Sequence, residues 1–503
     1  MCCNNYQMNH FNKLPDELIN KIYSYLDIQS IKNFSLTFRR SAAVLASSSY
    51  LLNKYFKIKL DGDFWTNREK VLDVMYFKRY MNELDIADIH GNHNVLCALF
   101  KKYGCQIMKL KISNSKIDDF TFREILKYCP ALKELQLAEV SVIKKLPAIN
   151  PVCMTDLKVL SVIYCDWEIF KFFTRSQVKS LIIKSYLDEG NRKDLVRYLS
   201  FQRKLKEMTL HGTALRTLFQ NNDVLGNCLY NLHSLRIDNG IGKNSDIVNL
   251  NIITFVNLMD DSLNNVEICG PHNEEMTIFS LLHLENVRSL VIDVRGLPKS
   301  REFYQQLEND PKNPNLDSLK LVGFFFQQEY AIKSILLKYP MIRDLEIYDW
   351  GNGPISNLLV FISQNLPYLR NLKITEITNN ENIKLNALQN LTVQYIRNAR
   401  KLTNFIVRNN SVETLNIGLV YIGQVTEFAN DLKDLNSVKH LSIGGNKTAL
   451  RKLLTLIHQE KPEKLETLEL SLVCEEKNAS QKSIKMKLPF DPFDLNMKFK
   501  VLI

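Results

Sequence analysis

Four residues in the first quarter of the chain, His90, His93, Cys97 and Cys105, are of the types that hold zinc. Their spacing is not a standard zinc pattern, and Cys97 falls in an apolar run of helical period, which predicts a buried thiol beside surface histidines. Gly444-Gly445-Asn446-Lys447-Thr448 stands between a strand-like and a helix-like stretch, where a phosphate loop would stand. It lacks the G-x-x-x-x-G-K-[ST] order, because Lys447 follows Asn446 and not glycine, so a plain connecting loop is expected. Scattered Ser, His and Asp residues assemble no triad that sequence alone can define. A reactive cysteine needs an electropositive, exposed setting, and none of the ten cysteines declares one. Cys2-Cys3 could accept a lipid, but neither a myristoylation glycine nor a polybasic neighbour accompanies them. The expectation is a protein without catalytic residues, metal or cofactor, whose work is binding.

The 503 residues are 45% hydrophobic and 24% charged, a globular composition too apolar for a disordered chain. No stretch approaches the roughly 18 apolar residues of a membrane span, and the first residues lack the cationic and apolar regions of a signal peptide. Ten cysteines scattered without framework spacing suit a reducing compartment, so cytoplasm, nucleus or both are expected. A net charge of +11 is moderate for this length, and its distribution decides what it means.

Residues 11–40 read FNKLPDELINKIYSYLDIQSIKNFSLTFRR. Pro15 suits the first helical position, and Asp16 and Glu17 favour the positive end of a helix dipole. Leu18, Ile22, Tyr25 and Leu26 recur at helical spacing; a break at Asp27 precedes a second amphipathic stretch with Ile31, Phe34 and Phe38. So few helices bury too little surface to stand alone, which leaves a cap on the following structure or a docking module. The order Leu14-Pro15-x-Glu17-Leu18, Ile22, Tyr25-Leu26, Ile31, Ser35-Leu36, Arg39-Arg40 closely resembles the F-box. Ser30 stands where an acidic residue is common and Ser41 where tryptophan is frequent. The resemblance implies three helices that bind a Skp-type adaptor and, through it, a cullin–RING ubiquitin ligase. It implies that Leu14, Pro15, Leu18, Ile22, Leu26, Ile31 and Leu36 form that contact or its immediate support.

Beyond residue 50 one phrase recurs: apolar, two variable residues, apolar, one variable, apolar. Examples are Leu132-Lys-Glu-Leu135-Gln-Leu137, Leu232-His-Ser-Leu235-Arg-Ile237 and Leu465-Glu-Thr-Leu468-Glu-Leu470. Its middle residue falls at 58, 84, 110, 135, 160, 181, 208, 235, 266, 290, 319, 345, 372, 415, 441 and 468, mostly 21 to 31 residues apart. The long step from 372 to 415 predicts a weaker copy near Leu402 to Val407, or an insertion. Alternation within the phrase makes a short strand with one buried face, helical stretches fill the gaps, and Pro130, Pro340 and Pro367 stop those helices. This is the leucine-rich-repeat signature. The copies resemble the irregular cysteine-containing repeats of F-box proteins, with the cysteine mostly missing.

The expected fold is therefore α/β: an N-terminal three-helix F-box, then a leucine-rich-repeat solenoid with a curved parallel sheet on the concave face and helices on the convex one. The expected divisions are a tail at 1–10, the F-box at 11–50, about 16 repeats over 51–474, and a cap or tail at 475–503. Variable residues beside each middle apolar position point outward, and acids at least equal bases among them. A nucleic-acid groove would need a basic stripe with stacking aromatics, so a protein partner is favoured. Candidate contacts to a protein substrate are Glu134, Arg236, Glu267, Lys320, Glu346, Tyr348 and Lys373. The expected function is a substrate-recognition adaptor of an SCF-type ligase; the alternatives are a binding scaffold outside any ligase and an RNA-associated factor.

Overall fold

The computed structural model describes residues 14–26, 30–31, 33–34, 41, 43–45, 58–67, 71, 82–91, 93–143, 151–184, 193–211, 230–238, 262–269, 281–293, 300–324, 329–349, 356–377, 383–460, 464–472 and 482–487. The chain divides into two units, Met1–His233 and Ser234–Ile503.

The first unit carries strands β1 (Ile58–Leu60), β2 (Glu83–Ala87), β3 (Lys109–Asp118), β4 (Glu134–Ile143), β5 (Val159–Ile163), β6 (Ser180–Lys184) and β7 (Glu207–His211). Each pairs in parallel with the next, and the register aligns Ile58, Leu84, Leu110, Leu135, Leu160, Leu181 and Met208. These are the middle residues of the recurring phrase, so the sequence repeat and the hydrogen-bond register coincide. Its helices are α1 (Asp16–Tyr25), α2 (Gly62–Thr66), α3 (His93–Tyr103), α4 (Asp119–Tyr128) and α5 (Lys193–Leu199). A 3-10 segment, Trp167–Phe173, links β5 to β6 and buries four aromatic rings; Phe172 meets Phe122 of α4 edge-to-face at 4.9 Å.

The second unit carries β8 (Ser234–Asp238), β9 (Asn265–Cys269), β10 (Ser289–Asp293), β11 (Ser318–Phe324), β12 (Asp344–Asp349), β13 (Asn371–Ile374), β14 (Asn390–Ile396), β15 (Thr414–Val420), β16 (His440–Gly445) and β17 (Thr467–Leu472). These too are parallel neighbours, with Leu235, Val266, Leu290, Leu319, Leu345, Leu372, Leu391, Leu415, Leu441 and Leu468 in register. A last strand, β18 (Lys482–Lys487), lies antiparallel on β17. Helices α6 (Arg301–Asn309), α7 (Glu329–Lys338), α8 (Ser356–Asn365), α9 (Ala399–Arg408), α10 (Ile422–Asp431) and α11 (Lys447–Glu460) fill the connections.

The expected copy near Leu402 to Val407 is corrected. Those residues lie on α9, whose buried Leu402, Phe405 and Ile406 follow a helical period and whose start is capped by Asn398 accepting from the Lys401 amide. The missing strand is β14, built on Leu388-Gln-Asn-Leu391-Thr-Val393, with Leu391 in register with Leu372 and Leu415. The prolines act as expected: α4, α7 and α8 each end two residues before Pro130, Pro340 and Pro367, because the residue ahead of a proline is pushed out of the helical region.

The turns that lead into the strands are fastened by buried polar side chains. Gln202 is fully buried; its Oε1 accepts from the Val178 amide at 3.0 Å and its Nε2 donates to the Ser176 carbonyl at 2.8 Å. Asn409 accepts from the Leu385 amide at 2.6 Å and donates to the carbonyls of Ile383 and Phe405. Ser176 and Asn313 make equivalent bonds to the preceding turn. Each satisfies backbone groups that would otherwise be buried without partners.

Because Leu391 is fully buried, Leu391→Ala lowers unfolding free energy by about 2–5 kcal/mol. Val407→Ala, at a residue 49% exposed, stays within about 0.5 kcal/mol. Urea unfolding followed by circular dichroism measures both, and the opposite ranking would return the missing copy to 402–407.

Candidate functional site

Helix α1 presents two apolar stripes. Ile19 and Tyr23 are fully buried, with Ile31, Val44 and Leu45 in the same cluster and Leu14, Leu26 and Phe34 packed against it. Tyr23 meets the Phe34 ring edge-to-face at 5.1 Å and donates its hydroxyl to the Ser41 carbonyl at 2.9 Å. The Ser41 hydroxyl donates in turn to the Phe34 carbonyl at 2.8 Å. Buried Ser41 thus closes a polar link at the position where tryptophan is frequent in F-box sequences.

The second stripe faces outward. Leu18 is 46% exposed, Tyr25 is 78% exposed and Ile22 is half-buried, at spacings of four and three along the helix. Pro15 sits one position earlier than expected, as the extended residue ahead of the helix; its carbonyl accepts from the amides of Leu18 and Ile19 at 3.1 and 3.2 Å. Among the predicted adaptor contacts, Pro15 and Leu18 are exposed, Leu14, Ile22 and Leu26 are half-buried, Ile31 is core, and Leu36 lies outside the described residues. The sequence reading did not separate Ile19 and Tyr23 from the outward stripe; their i, i+4, i+7 relation to Leu26 was the available signal.

The second candidate surface is the sheet face opposite the buried leucines. There the charged residues pair with each other across neighbouring strands. Lys109 Nζ lies 2.9 Å from Glu134 and 3.9 Å from Glu83, and Lys111 lies 3.7 Å from Asp85. The hydrogen bond that Lys109 donates to Glu134 is the main cause that holds the Lys109 ammonium above its ordinary range. In the second unit Arg236 lies 2.9 Å from Glu267, while Glu346 receives both Lys320, at 2.7 Å, and Lys373, at 3.3 Å. Six of the seven predicted substrate contacts are therefore members of three local ion-pair groups. Tyr348 belongs to β12, but its side chain lies outside the described residues. Beside the ion pairs of the first unit an open trough is floored by Val159, Ser161, Ile163 and Ile182.

Cys97, expected as a buried thiol, is half-buried, and Cys105 is exposed. His93 on α3 pairs with Asp118 at 3.2 Å, and among the described residues no group of three or more His, Cys, Asp or Glu is placed to hold a metal. Burial pushes the Cys129 thiol up to about 12 and the Cys165 thiol to about 11, which keeps both protonated and poor nucleophiles. In the 444–448 loop, Asn446 Oδ1 accepts from the Ala449 amide at 2.9 Å and so caps α11. A Cβ on Gly445 would stand 3.2 Å from Leu450, so glycine there serves packing. A contact the sequence did not reveal joins three segments of the second unit: His283 Nε2 lies 2.7 Å from Asp310 and 3.2 Å from the buried Lys338 ammonium. Burial lowers the Lys338 pKa, and Asp310 partly offsets that.

Residues 11–52 match the F-box domain family. No curated protein matches the chain. The matched segment contains both stripes of α1 and the Ser41 link.

The two stripes separate in a stability measurement. Leu18→Ala leaves the unfolding free energy within about 0.5 kcal/mol, whereas Ile19→Ala costs about 2–5 kcal/mol. Local hydrogen exchange of the N-terminal amides reads the difference; equal losses would mean that Leu18 is core and not an outward contact.

Proposed function

We propose that the protein is the substrate-recognition subunit of an SCF-type ubiquitin ligase and does no covalent chemistry itself. The F-box domain supports a role as an adaptor of such a ligase and binding to a Skp-type protein within a cullin–RING complex. The observation that carries the reading is the outward stripe of exposed Leu18 and Tyr25, with half-buried Ile22 between them, on a helix whose other face is already packed. Large exposed apolar side chains in a row are the kind of surface that a partner covers.

In this reading the registered strands and helices form a leucine-rich-repeat solenoid, and its concave sheet face holds a protein substrate. The ion pairs on that face suit exchange. An exposed pair contributes only about 0–1 kcal/mol, so a substrate charge can replace one member at small cost. Glu134, Arg236, Glu267, Lys320, Glu346 and Lys373 then select the substrate by charge pattern, and Tyr348 supplies an apolar anchor. Ubiquitin transfer gains rate from proximity, because the bound substrate is held at high effective concentration near the loaded enzyme.

A tagged pull-down tests both ends. Leu14→Ala/Pro15→Ala and Leu18→Asp should each lose the Skp-type adaptor and the cullin while keeping substrate. The double reversal Lys320→Glu/Lys373→Glu should keep the adaptor and lose substrate. Adaptor recovered without cullin from the unaltered protein would replace the ligase reading with a scaffold outside the ligase.

A further inference from the structure

In each repeat one residue, two positions before the middle apolar residue, stands at the edge where the strands begin. In the first unit four successive repeats place lysine there: Lys133, Lys158, Lys179 and Lys206. The backbone locks them in one file, since each amide donates at 2.8 Å to the carbonyl of its predecessor, Lys158 to Lys133, Lys179 to Lys158 and Lys206 to Lys179. The ammonium-bearing residues are exposed, Lys133 partly, and none has a side-chain partner among the described residues. Three acids stand near the file: Glu134 is bonded to Lys109, and Asp156 and Glu207 are exposed.

The same column in the second unit includes acids. Asp317 is followed by Arg343 at 3.7 Å, and Glu413 by Lys439 at 2.9 Å, so opposite charges meet there, while Arg343 and Arg370 are the like-charged neighbours. Like charges on neighbouring strands repel, and four lysines in file outnumber the exposed acids beside them, a surplus that an acidic partner would offset. Strand spacing makes the file roughly 14 Å long, which four or five residues of extended polypeptide span.

We infer that the strand-beginning edge of β4–β7 docks an extended acidic segment of a partner protein, with apolar residues alternating among its acids. The apolar requirement comes from the rows further inward. Val159 stands in the first row behind the lysines and Ile182 two positions beyond it, both half-buried at the open trough, a seat for alternate side chains of a peptide. A sugar–phosphate backbone offers nothing apolar for that seat, and no aromatic ring stands within the file to stack on bases. The lysine file borders the Lys109–Glu134 pair of the proposed substrate face, whose trough it shares, and the inference does not depend on ligase membership.

Fluorescence anisotropy with the full chain tests it, using a labelled peptide of about ten residues in which Glu alternates with Leu and Ser. The peptide should bind, and binding should weaken as salt rises, because the contacts are exposed charges. Lys158→Glu/Lys179→Glu should weaken binding about tenfold or more, and Lys158→Arg/Lys179→Arg should retain it. Val159→Ser/Ile182→Ser should weaken it several-fold. Adaptor recovery in a pull-down should be untouched by all three variants, which separates failure here from failure of the F-box reading. The assignment is overturned by no binding at low salt, by equal binding of the same peptide with Gln for Glu, or by indifference to the charge reversal. It is also overturned if an oligouridylate of similar length binds more tightly and is lost in the charge-reversed variant, which would make the edge a nucleic-acid surface.

Discussion

One backbone carbonyl per repeat organises the strand edge of each unit. The carbonyl of Lys133 accepts the amides of both Lys158 and Val159, that of Lys158 accepts those of Lys179 and Ser180, and that of Lys179 those of Lys206 and Glu207. In the second unit the carbonyls of Asn264, Arg288, Asp317, Arg343, Arg370, Gln389, Glu413 and Lys439 do the same for the repeat that follows. This shared acceptance fixes the register before any side chain is considered. A slip by one residue would turn every buried leucine to the open face. The buried amides of Gln202, Asn313 and Asn409 hold the turns so that these carbonyls stay aimed along the sheet. With register fixed, each column of side chains becomes a line, and chemistry can be written along lines instead of in pockets.

The columns carry different content. The two inward columns are aliphatic and supply the core. The outward columns carry ion pairs in both units and, along β12–β14, a run of amides in which Asn371 donates to Asp344 and Asn390 to Asn371. Such paired columns are nearly neutral at low cost, so they leave the sheet soluble without committing it to one polyanion or polycation. The N-terminal helix works by another principle. It spends one stripe, Ile19 and Tyr23, on its own small core, and leaves the stripe of Leu18, Ile22 and Tyr25 outside. A helix that is apolar on two sides and small in its own support is stable when something else covers the second side.

Much of this was legible in the sequence. Every predicted middle residue from Ile58 to Leu468 falls on its strand, because alternation around a leucine phrase is a local, repeated signal. The Leu388–Val393 copy was hidden because its unit is short and because Leu402-Thr-Asn-Phe405-Ile-Val407 satisfies the phrase by accident while obeying a helical period. The candidate site was less legible. Sequence marks Glu134 or Glu346 as outward, but the cross-strand distance that pairs them with lysines appears only when two repeats are side by side. Likewise Leu18 and Ile19 are adjacent aliphatics, and only packing distinguishes the docking stripe from the supporting one. The His283–Asp310–Lys338 contact spans 55 residues and three segments, beyond the reach of any short motif.

The antiparallel strand β18 has a consequence for how the molecule meets its own kind. A stack of parallel strands leaves at its last member a row of amides and carbonyls with evenly slanted spacing, a template onto which another parallel strand can add. By running backwards along β17, β18 converts that spacing into the alternating narrow and wide pairs of an antiparallel ladder. A repeat arriving from a second molecule in the parallel sense would meet β18 running the opposite way, and so could not continue the parallel register of the array. The reversal therefore withholds from a second copy, at that strand, the template by which each repeat received the one before it.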